Sequence, residues 1–89
     1  MLVLPAELTH DQAAACCAML VRALETEPQG AVADASALAH FDSSALAVLL
    51  ECRREALARG KTFSVARLPP QLRELAGLYG VAELLPAAP

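Results

Sequence analysis

The chain has 89 residues, of which 56% are hydrophobic and 19% charged, with a formal net charge of −3. That is one small domain able to bury a core, and it is neither globally disordered nor membrane-spanning, since no apolar run approaches the ~20 residues that cross a bilayer. The seven basic residues are scattered, and only Phe41, Phe63 and Tyr79 are aromatic, which argues against a nucleic-acid face.

Met1 to Leu4 reads as a short apolar strand, and Pro5 to Leu8 leads out of it. Thr9-His10-Asp11-Gln12 fits a capping box, with Thr9 as cap and Gln12 reaching back. The helix that follows runs to about Thr26, with Ala13, Cys16, Cys17, Leu20 and Leu24 at helical spacing. Pro28-Gln29-Gly30 breaks the chain, Ala31 to Ala35 is a short buried strand, and Ser36 to Phe41 is a connecting loop.

The second helix spans about Ser43 to Arg59 and stops at Gly60, a left-handed C-cap. Its expected apolar arc holds Ala45, Leu46, Leu49, Leu50, Cys52, Ala56 and Leu57, with Glu51, Arg54 and Glu55 opposite. Arg53 falls inside the arc, as a snorkelling side chain at its edge or as a partner contact. Lys61 to Arg67 alternates as a strand, Phe63 and Val65 on one face. Pro70 opens a third helix whose stripe is Leu72, Leu75, Ala76 and Tyr79, and Gly80 ends it. Strand–helix alternation implies a small, mostly parallel sheet with right-handed crossovers and helices packed largely on one face.

Catalytic patterns are missing. There is no P-loop, Gly-rich dinucleotide fingerprint or nucleophile elbow, so neither an enzyme nor a cofactor is expected. His10 and His40 lack acid or thiol partners and read as surface or capping residues. Cys16, Cys17 and Cys52 have no metal spacing, and the adjacent pair within a helix cannot easily bridge, so they read as buried structural thiols.

The most informative stretch is Asp42-Ser43-Ser44-Ala45-Leu46-Ala47-Val48-Leu49-Leu50. Two hydroxyls and a carboxylate fall where a helix start presents unpaired N–H groups and the positive end of its dipole. Such a run can cap the helix, hold an anion or accept a phosphoryl group. Its residues alone do not choose among these.

This run resembles the STAS family, named for sulfate transporters and anti-sigma factor antagonists. The likeness extends over about residues 3 to 85, through Gly60, the strand at Lys61–Arg67 and the leucine-rich Leu72–Tyr79. Within the family, Leu75-Ala76-Gly77-Leu78-Tyr79-Gly80-Val81 and the ending Leu84-Leu85-Pro86 look most like MlaB-type subunits of the Mla phospholipid-transport ABC complex. Two departures stand out: Ala45 replaces the usual Gly, and the usual first strand is truncated or missing, leaving a sheet edge less covered.

The resemblance implies a non-enzymatic cytoplasmic adaptor, a single domain over residues 1–89, peripheral to the inner membrane through its partner. That partner would be the ATPase subunit of an ABC-type phospholipid transporter. The expected docking residues are Asp42, Ser43, Ser44, Ala45, Ala47, Val48 and Glu51. Ser43 corresponds to the residue phosphorylated in anti-sigma factor antagonists, so the alternative is an antagonist controlled by a Ser kinase, itself an anti-sigma factor. On the residues alone Asp42 and Ser43 read as caps of the helix, where a neutral Ser43 can satisfy first-turn donors and a phosphate would be accepted by the helix dipole.

Overall fold

A computed structural model describes residues 1–89. Strands β1 (Leu2–Val3), β3 (Gly30–Asp34) and β5 (Thr62–Ala66) form a parallel sheet in the order β1-β3-β5. Gly30 to Asp34 align with Thr62 to Ala66 residue for residue. A second, two-stranded parallel sheet pairs β2 (Glu7–Leu8) with β4 (His40–Phe41). The sequence predicts connections at both segments. Two-residue strands have no period of their own, and here tertiary pairing of Glu7 with His40 and Leu8 with Phe41 creates them.

Three helices follow the strands: α1 (His10–Ala23), α2 (Ser44–Ala58) and α3 (Pro70–Leu78), with 3-10 turns at Leu24–Thr26 and Ala82–Leu84. The expected end of α1 at Thr26 is met only through the first of these turns. Its start closes from the Gln12 side, whose Oε1 accepts both the N–H and the hydroxyl of Thr9 at 2.8 Å. Gly60, at φ +72°, ends α2 in a Schellman motif: its N–H donates to the Leu57 carbonyl at 3.0 Å, and that of Lys61 donates to Ala56 at 2.9 Å.

The alternation of the strands shows where the core lies. Ala31, Ala33, Phe63 and Val65 are buried, whereas Val32, Asp34, Ser64 and Ala66 are only partly covered. The helices therefore cover one face of the main sheet, as the strand–helix order predicted. The fold is α/β, small and STAS-like. β1, only two residues long, lies at one edge, while beyond β5 the tail adds a parallel bridge between Val65 and Ala87.

Two stripe assignments need correction. Tyr79 is 60% exposed although it continues the helical backbone, its N–H donating to the Leu75 carbonyl at 3.1 Å; it stands at the last turn of α3, beyond the buried Leu72 and Ala76. In α2 the buried arc comprises Ala45, Leu46, Val48, Leu49, Cys52 and Ala56, while Leu50 is half-buried and Leu57 is 47% exposed. The arc is rotated toward Val48 because α1 lies along that side of α2; its Cys17 feels the charges of Glu51 and Glu55. Single-helix periodicity locates the sheet-facing side but not the flank that a neighbouring helix covers.

Candidate functional site

The start of α2 is built around one carboxylate. Asp42 Oδ1 accepts the Ser44 N–H at 2.8 Å, and the Asp42 carbonyl accepts that of Ala45 at 3.1 Å. Asp42, not Ser43, is thus the residue that satisfies the leading donors. Ser43 has helical angles (φ −62°, ψ −17°) and makes no side-chain cap bond; its carbonyl takes the N–H groups of Leu46 at 3.1 Å and Ala47 at 3.3 Å. The expectation that the Ser43 hydroxyl caps the helix is therefore corrected: at this backbone geometry Asp42 is the better-placed acceptor, so the hydroxyl remains on an exposed residue, free of the cap.

The other oxygen of Asp42 reaches a different helix. Oδ2 accepts the backbone N–H of His10, the first residue of α1, at 3.1 Å. One side chain thus binds the first turns of both helices. The two donated N–H bonds hold the Asp42 carboxyl below the usual carboxylate range, the Ser44 bond contributing most, partial burial opposing and His10 adding to the effect. A negative charge already sits at this dipole end, so the start of α2 is not an open anion site. A phosphate on Ser43 would add charge beside an existing carboxylate rather than meet bare donors.

The remaining expected docking residues divide by face. Asp42, Ser43 and Ala47 are exposed, and Ser44 and Glu51 are half-exposed. Ala45 is fully buried and Val48 is 3% exposed, so neither can be a surface contact in this structure. Their reason is packing: both point into the layer that α2 forms against the sheet and α1. Ala45 carries an ordinary negative φ, so the turn does not require the Gly that the family pattern would put there. Stepping 100° per residue, Ser43, Ala47 and Arg54 stack on the side of α2 opposite the buried arc. Farther along, Glu51 Oε1 accepts from Arg54 Nε at 3.0 Å and Glu51 Oε2 from Arg54 Nη2 at 2.5 Å. This pairing holds the Glu51 carboxyl below its usual range.

Two participants escaped the sequence reading. Arg54 falls on the polar side in the sequence, and its pairing with Glu51 is signalled there only by their i, i+3 spacing. His10 enters through its backbone N–H, a donor that every helix start has, so its side chain offered no clue.

A family profile described as Mlab, STAS domain matches residues 1–86. The chain belongs to the STAS domain family. No curated protein matches the chain. As a STAS domain it carries the Asp42–Ser43–Ser44 run at the start of α2 with the carboxylate engaged and the first hydroxyl free of the cap. No helix of this STAS domain is long and apolar enough to cross a membrane.

Proposed function

We propose that this STAS domain is a non-enzymatic adaptor that docks on the ATPase subunit of an ABC-type phospholipid transporter and supports its assembly and activity. The docking face is the exposed start of α2: Asp42 and Ser43 at the tip, Ala47 one turn on, Ser44 and Glu51 at the rim. Ala45 and Val48 act from beneath by fixing the helix. The adaptor works in the cytoplasm and meets the membrane only through the transporter. Support for the partner class comes from the Mlab description of the matching family. Support for the face comes from one observation: the Ser43 hydroxyl is exposed and released from capping by Asp42. A polar group relieved of structural duty at a helix tip, next to the small Ala47, leaves room for a partner's side chains to approach the backbone.

The test is capture of the cognate transporter's ATPase subunit by the wild-type chain and by Ser43→Arg, with folding checked by circular dichroism. Because the Ser43 side chain makes no cap bond, Ser43→Arg is expected to unfold at an unchanged temperature. Its bulk and charge at the contact should weaken binding at least roughly tenfold, the effect of a misplaced group at an interface centre. Undiminished capture by the folded variant removes this face from the proposal.

A further inference from the structure

We infer that Asp42 is a positioning residue that clamps the starts of α1 and α2 together, so that the docking face is held by both helices rather than by α2 alone. This rests on the docking reading for its functional half only. The structural half rests on two bonds made by one side chain, Oδ1 to the Ser44 N–H at 2.8 Å and Oδ2 to the His10 N–H at 3.1 Å.

The His10 bond carries the coupling, since Asp42 is joined covalently to the start of α2, and the Ser44 bond fixes the carboxylate that makes it. Ser44 lies inside the first turn of α2 and His10 opens α1, 34 positions earlier in sequence. Each N–H is an orphan of its helix start and would otherwise need another acceptor. Thr9 does not relieve His10 of this, since the Thr9 hydroxyl donates to Gln12 Oε1. The carboxylate also stands at the positive ends of two helix dipoles at once, which favours its charge at that point. Beside it, the parallel pair β2–β4 fixes the two segments that lead into these helices, with Leu8 aligned on Phe41. The clamp thus closes a ring: paired strands, two helix starts and one bridging side chain. Ser43 lies next to the bridging residue, so its placement depends on α1 as well as α2.

Two substitutions cut the bridge by different routes and leave both helices capped. Asp42→Asn keeps one acceptor oxygen for Ser44 but replaces the second with an amide that cannot accept from His10, and Asn is a good cap. His10→Pro removes the donor itself. Proline suits the first position of a helix, and Thr9 before it is already extended at φ −106° and ψ −175°.

Amide hydrogen exchange on the full chain reads the structural half. His10→Pro, a change in α1, should speed exchange of the Ala45, Leu46 and Ala47 amides of α2 roughly fivefold, the loss of one charge-assisted bond at an exposed site. Unchanged exchange at those amides overturns the clamp, whatever the partner does. Capture of the ATPase subunit reads the functional half. His10→Pro, which touches no docking residue, should weaken binding through the bridge alone; Asp42→Asn, which also changes a residue of the face, should weaken it at least as much, and adding His10→Pro to Asp42→Asn should cost nothing further. If both single variants bind as wild type while Ser43→Arg does not, the docking face stands and the positioning role falls. If Ser43→Arg binds normally, the docking face falls and the clamp is judged by exchange alone.

Discussion

At the scale of the residue, the chemistry of the Asp42-Ser43-Ser44 run divides differently from its sequence order. The residue types told that a helix start with capping power lay here, but not which side chain would do the capping. That depended on Asp42 lying just outside the helix with its carboxylate over the Ser44 N–H. A titration follows from this. The Asp42 carboxyl is held below its ordinary value of 3.8 by the N–H bonds it accepts in the folded chain, Ser44 first. With the folded value the lower one, the contribution is present above the ordinary carboxylate range. It is lost as pH falls through 3.8 and on through the depressed folded value. Urea midpoints measured from neutral pH down to acid should therefore fall less steeply for Asp42→Asn than for wild type. Some acid limb should remain in the variant, because the Ser36 N–H, and after it Arg67, lower the Asp34 carboxyl as well. Equal slopes for the two chains would show that Asp42 contributes nothing to acid sensitivity.

At the scale of the element, the three long helices and the three strands of the main sheet were legible because each carries its own local signal. The capping pair Thr9 and Gln12 marked the start of α1, Gly60 the stop of α2, and the alternation of Phe63 and Val65 the strand β5. What stayed hidden depends on neighbours: the β2–β4 pair, the burial of Val48 under α1, and the departure of Tyr79 from its stripe. For the site this means that the helix start at Asp42–Ser43–Ser44 is legible and Ala45 falls correctly in the buried arc, while Val48 is missed from the arc and the burial of both excludes them from the expected docking surface. The end of α3 offers a test of how far local rules reach. Gly77 lies inside the helix with nothing near an added Cβ, whereas Gly80, just beyond it, has φ +73° with equally open space. Space being equal, only the backbone differs. Gly77→Ala should stabilise by about 0.5 kcal/mol and Gly80→Ala should destabilise by about 1 kcal/mol, both read by urea unfolding. A shared sign would mean that something other than backbone conformation decides stability there.

At the scale of the whole molecule, a core of leucines and alanines lies between one sheet face and the helices, and the thiols lie in it where α1 meets α2. Cys16 on α1 and Cys52 on α2 are buried, and Cys17 is half-buried beside them. Burial pushes the Cys52 thiol up to about 12, with the neighbouring Cys17 and Cys16 adding to the effect. Burial raises Cys16 and Cys17 too. The thiolate is the reactive form, so all three should be slow toward alkylating agents at neutral pH in the folded chain. Cys17 should react first because it is partly exposed, while Cys52 should react only as fast as the domain opens globally. Mass-resolved iodoacetamide labelling across a urea series checks this: Cys52 modification should track the unfolding curve by circular dichroism. The same burial sets the sign of the alkaline limit. A thiol whose folded value lies above the unfolded one contributes in full below pH 9 and loses that contribution as pH rises from about 9 to about 12. Cys52→Ala removes this titration but leaves a small cavity between α1 and α2. It should therefore be less stable than wild type at pH 7 and lose less of what remains by pH 11. Labelling of Cys52 well before unfolding would instead mean that the α1–α2 seam opens locally, and with it the ring that holds the start of α2 in place.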